Sequence, residues 1–317
     1  MKTKAMFAIV ACLLVSTLLL GQARPPAQAA PPVPEKPVSV TAIPGVVAAG
    51  TKVEKIWMGN KAADGLISLP DGTLVLPEQR ADRISKIDMN GKVTLWFEDT
   101  NEAGGVAIDS KGRILSVERT IPRVRELYPE RKVLVDKFEG QPLTRLSDVV
   151  LDKKDGIYFT EGGKQSVYYL SKDGKLMRIA NDIQGANGVM LSPDEKTLYV
   201  TSSEAGILAY DVQPDATIKN RRPFAKPKGG QDGFCVDSMG RLYAAGDEGV
   251  EVFSPQGQTL GIIPTPRGTT TLAFAGPDKK TLFVIGRGND GPGGGGGDGR
   301  SLYKIAMIAQ GYKGRAK

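Results

Sequence analysis

Residues 187–201 read NGVMLSPDEKTLYVT: an Asn-Gly step, apolar residues at alternate positions, a polar turn and a second apolar strand. Alternation with period two is the mark of a β-strand with two distinct faces, and the turn between two such runs makes a hairpin. The same pattern recurs in both directions along the chain. Downstream it is DGFCVDSMGRLYAAG (232–246) and TTLAFAGPDKKTLFVI (270–285). Upstream it is SDVVLDKKDGIYFTE (147–161), GGVAIDSKGRILSVE (104–118) and DGLISLPDGTLVLPE (64–78). The six starts lie 40, 43, 40, 45 and 38 residues apart, the length of a four-stranded propeller blade.

Each unit carries a second hairpin. ISKIDMNGKV (84–93), VYYLSKDGKL (167–176) and VEVFSPQGQTL (250–260) show it clearly; RVRELYPERKVLV (123–135) and ILAYDVQPDATI (207–218) are less regular. Four strands in each of six units predict an all-β, six-bladed β-propeller over residues 51–310. The sixth unit ends in SLYKIAMI (301–308) without an obvious fourth strand, and KVEKIW (52–57) is the candidate that closes the ring. Within this unit the Gly-rich stretch 286–300 is expected to be a flexible loop. It lacks the Lys-Ser/Thr of a phosphate loop.

Composition removes much chemistry. The 317 residues include no histidine, so no imidazole base or Ser-His-Asp triad exists. The two cysteines, Cys12 and Cys235, cannot build the usual zinc site, so any metal is held by oxygen, as Ca2+ or Mg2+ would be. Lys2 and Lys4 precede an apolar run from Met6 to Leu20, with small residues after it. This reads as a signal peptide over 1–29, too short for a membrane span, and implies a periplasmic or secreted protein. Loss of Lys2, Lys4 and Arg24, with no acid removed, lowers the formal charge from +7 to +4. That excess, without a basic stripe among aromatics, does not indicate a nucleic-acid partner. Residues 30–50 read as a Pro/Ala-rich linker and 311–317 as a basic tail. Cys235 in FCV reads as a buried thiol, and Trp57 and Trp96 as packing between blades.

In a propeller the residue before each innermost strand stands at one channel mouth. These are Asp64, Gly104, Ser147, Asn187, Asp232 and Thr270. Asp64 and Asp232 would repel one another there unless a shared cation neutralised them. The competing reading is that Asn-Gly and Asp-Gly are merely turn dipeptides. Glu78, Glu118 and Glu161 end the second strands of their blades; the two readings are acids lining a groove at the channel mouth and, as the expectation, solvated strand-end charges.

ANGVMLSPDEKTLYVT (186–201), QDGFCVDSMGRLYAA (231–245) and TRLSDVVLDKKDGIYFTE (144–161) resemble the SMP-30/gluconolactonase family of six-bladed propellers. The resemblance implies one divalent cation, commonly calcium, at the channel mouth. Its implied ligands are Asn187, Asp232 (in QDG where the family has PDG) and Asp64 (in ADGL where the family has a Glu). Asp64 is one methylene short of Glu, so its contact is expected to be direct or water-bridged. The family's Arg-x-Asn-Asp stretch reads Arg145-Leu146-Ser147-Asp148, which assigns Arg145, Ser147 and Asp148 to substrate, with Ser147 departing from the pattern. Asp232 would be the catalytic base. The implied activity is cation-dependent hydrolysis of a small lactone or ester, sugar-derived among the candidates. The alternative is a non-catalytic propeller that binds a ligand or protein partner through a degraded metal site.

Overall fold

Strands whose two faces are both apolar need cover on both sides, and a ring of sheets packed face to face supplies it. The computed structural model describes residues 34–59, 61–229, 232–289 and 298–315. Six four-stranded antiparallel sheets form the predicted six-bladed propeller. Their innermost strands are Ile67–Ser68, Val106–Ile108, Leu146–Leu151, Val189–Leu191, Phe234–Val236 and Thr269–Ala275. Among the described residues there is no α-helix, and no helix is long and apolar enough to cross a membrane.

The ring closes as the sequence suggests. Val53–Gly59 pairs antiparallel with Arg300–Ala306 and is the outer strand of blade six. The core runs between blades. Val189, Met190 and Leu191 of blade four pack with Phe234 and Val236 of blade five, all buried. Each such side chain contributes about 1.5–3 kcal/mol on burial. Cys235 is a buried free thiol, as expected.

Two segments differ from their sequence reading. Residues 30–50, read as a linker, become part of the domain where they are described. Val40, Ile43, Val46 and Val47 are buried against Cys235, Val250, Leu272 and Leu282, between blades five and six. The reason is four aliphatic side chains in a stretch whose Pro and Ala content dominated the reading. The basic tail is also anchored. Gly311 bridges to Asp237, and Arg315 donates to the carbonyls of Leu191 at 2.5 Å and Ser192 at 2.8 Å. The signal peptide and most of the Gly-rich loop lie outside the described residues.

Candidate functional site

The six mouth positions converge nearly as the repeat predicts. Asp64, Gly104, Ser147, Asn187 and Asp232 line one small void of about 10 Å³ on the channel axis, together with Asp148. The sixth contributor is Thr271 rather than Thr270. A register shift between Thr269 and Thr271 displaces the pattern by one residue there. The void is the size of one water molecule or ion.

The glycines after the mouth residues are there for close approach, which displaces the turn-dipeptide reading. A Cβ on Gly188 would lie 2.4 Å from the Asp232 carbonyl oxygen. Gly65, at φ +66°, would meet the Gly104 carbonyl at 2.1 Å. Neighbouring inner strands therefore touch backbone to backbone, which draws their preceding side chains together.

Asn187 is pinned from several sides. Its carbonyl accepts from the Thr160 hydroxyl, its backbone N–H donates to Thr201 O at 3.3 Å, and its amide nitrogen donates to Asp232 Oδ1 at 2.9 Å. Asp64 Oδ1 accepts from the Gly65 N–H at 2.8 Å, and its other oxygen faces Arg119 Nη2 at 3.8 Å. Asp148 accepts from the backbone N–H groups of Val149 at 2.9 Å and Val189 at 3.2 Å, so it ties blade three to blade four. Burial, then the neighbouring Asp64, push the Asp232 carboxyl up to about 8. Arg300, held below its ordinary value by burial, adds positive potential beside Asp64 and Asp232.

This donor set suits a hard cation. Asp64, Asp232 and the Asn187 amide can offer oxygen ligands around a one-ion void. Ligation by Asn187 would use its amide oxygen, while its amide nitrogen donates to Asp232. Asp64, Asp148 and Asp232 all line the void, yet no group of three or more Asp, Glu, Cys or His among the described residues is placed to hold a metal by itself.

Above the void opens a cleft of about 800 Å³, which shares Asp64, Ser147, Asn187 and Asp232 with it. Arg145 is exposed on its wall and Ser147 lies at its base. Two further residues of the wall, Arg119 and Lys226, escape the motif-based reading. Arg119 had a signal: it follows Glu118 directly, as Gln79 follows Glu78 and Gly162 follows Glu161. Those glutamates are buried, contrary to the solvated expectation. Glu78 takes Arg83 at 2.7 Å and Ser85 at 2.6 Å; Glu118 takes Arg123 at 2.6 Å and Asn101 at 2.9 Å. Glu161 accepts from the hydroxyls of Tyr168 at 2.7 Å and Thr144 at 2.8 Å. Buried carboxylates need such partners. Anchored in this way, each strand end fixes the residue that follows it, and Arg119 is thereby aimed into the cleft.

Comparison with known proteins identifies the family of the chain. The SMP-30/gluconolactonase/LRE-like region matches residues 62–286. A gluconolactonase of Zymomonas mobilis is 28% identical over 213 residues, 57% of this chain and 60% of that protein. Pentonolactonase XacC of Haloferax volcanii is 30% identical over 235 residues, 67% of this chain and 79% of the other. The structure of a gluconolactonase from Xanthomonas campestris superposes with a TM-score of 0.74 at 27% identity, covering 88% of this chain and 98% of that one. On the family match, carried over blades one to six, the chain belongs to the SMP-30/gluconolactonase/LRE-like family.

Proposed function

We propose that the cleft hydrolyses a small lactone with the help of one divalent cation, Ca2+ by choice, held by Asp64, Asn187 and Asp232. The observation that carries this is the convergence of those three side chains on a one-ion void at the floor of an open cleft. The lactonase names of the relatives support the reaction class. When bound, the cation would polarise the ester carbonyl and offset charge that develops on its oxygen.

The chain's own groups do the rest. Asp232 accepts a proton from the attacking water, whose oxygen bonds to the carbonyl carbon. The ring C–O bond then breaks, the proton passes to the departing alkoxide, and a hydroxy acid results. Burial and Asp64 raise the basicity of Asp232, whereas holding a cation lowers it, so the two roles set its strength against each other. A strained or activated ester tolerates the compromise; an amide does not. Arg119 supplies positive charge beside Asp64 and a planar donor edge to the cleft. Arg145 and Ser147 orient the ring. Asp148 acts through backbone positioning of Val149 and Val189.

The proposal extends to export, since the charged start, apolar run and small residues of 1–29 are a signal-peptide pattern. N-terminal sequencing of protein recovered from its native compartment should begin near Arg24 or Ala30; a retained Met1 contradicts it. A lactone panel assayed with and without chelator tests the reaction. Ring opening that chelator abolishes is expected, and inertness toward every lactone contradicts the reading.

A further inference from the structure

The cleft is acidic at its floor and basic at its rim. Asp64 and Asp232 lie below. Arg145 from blade three and Lys226 from the connection after blade four stand exposed at the wall. Neither makes an ion pair with a described residue, whereas Asp247, packed behind Gly229 of the same wall, is engaged by Arg287 at 2.9 Å. No aromatic side chain lines the cleft among the described residues, so nothing there offers a stacking face to an apolar ring.

We propose that the substrate is an anionic lactone, a ring that carries a carboxylate or phosphate group besides its ester. The anionic group sits between Arg145 and Lys226, and the ester lies over Asp64 and Asp232; this second half rests on the hydrolase reading. The polarity sets the orientation. The two cationic side chains of the rim hold the anionic group there, so the ring lies with its ester toward the floor.

Binding tests the inference without turnover. Three cyclic-ether analogues, which contain no ester to hydrolyse, would be titrated calorimetrically in the presence of Ca2+: one with a carboxylate, one with a phosphate, one with a neutral carboxamide. Wild type and the Arg145→Gln/Lys226→Gln double variant would be compared at low and high salt. Both side chains are exposed, and a thermal melt of the variant would check that it is folded. An anionic analogue should bind wild type about tenfold or more tightly than the carboxamide. The preference should collapse toward parity in the double variant and shrink with salt. Equal affinity of all three for wild type, or a preference that survives the double variant, overturns the proposal. A chain that prefers the anions yet opens no lactone refutes the hydrolase reading while sustaining this one. A chain that opens neutral lactones without preferring anions does the reverse.

Discussion

At one end of the channel, Asp64, Asn187 and Asp232 crowd around a void beneath an open cleft. At the other, Lys279 and Arg315 are buried beneath the end of the chain. Lys279 donates to the carbonyls of Tyr312 and Arg315, and Arg315 Nη2 also meets Glu195 at 3.2 Å. Both ends bury charge, and they differ in what satisfies it. The basic end is closed by carbonyl oxygens and a carboxylate of the chain itself. At the acidic end two carboxylates meet at one void, Asp232 taking the Asn187 amide and Asp64 the Gly65 N–H beside Arg119, and the proposed cation would join them there. That contrast separates a structural end from a chemical one.

The sharpest way to break the contrast is Asp232→Asn. It keeps shape but removes one charge and the proton acceptor, so kcat/KM for a lactone should fall by about 10²–10⁴. In the presence of chelator the same change should raise the melting temperature near neutral pH, because burying Asp232 requires it to take up a proton that the unfolded chain lacks, and asparagine needs none. A variant that retains both cation and turnover would show that Asp232 has neither role. At the opposite end, Arg315→Ala strands the carbonyls of Leu191 and Ser192 and should lower the unfolding free energy by about 1–3 kcal/mol, read by urea denaturation. Turnover by the folded fraction should be unchanged. A selective loss of turnover would mean that the two ends are coupled.

A third test of the contrast is one of slope. Without cation, the folded chain holds a proton on Asp232 to about pH 8, well above the ordinary carboxylate value. That contribution to stability is full below about pH 4 and is lost as pH rises toward 8. Burial pulls Lys279 down to about 8. Its contribution has the opposite sign: it is full above about pH 10 and is lost as pH falls through 8. Denaturation at a series of pH values in chelator should therefore show stability falling into pH 8 and recovering above it. Asp232→Asn should remove the first limb and Lys279→Met the second.

The blades were legible because a period of about 40 residues and strict alternation leave few architectures open. Mouth positions were legible for the same reason, since each precedes its strand at a fixed offset. Thr271 escaped because a bulge shifts one strand by one residue. The burial of Glu78, Glu118 and Glu161 escaped because their partners Arg83, Arg123 and Thr144 look like ordinary surface residues in sequence. Anchoring of Val40 to Val47 and of Arg315 depends on contacts between chain ends and blades four to six, which no local pattern encodes.

The central claim is that the acidic mouth is the reaction centre. The direct measurement is a Ca2+ titration of chelator-stripped protein, with bound cation and lactone opening followed in one sample. The account predicts one equivalent bound, activity that rises in step with occupancy, and loss of both in Asp64→Ala and Asn187→Ala. Full activity in the stripped protein, or one bound cation whose occupancy leaves activity unmoved, would contradict it.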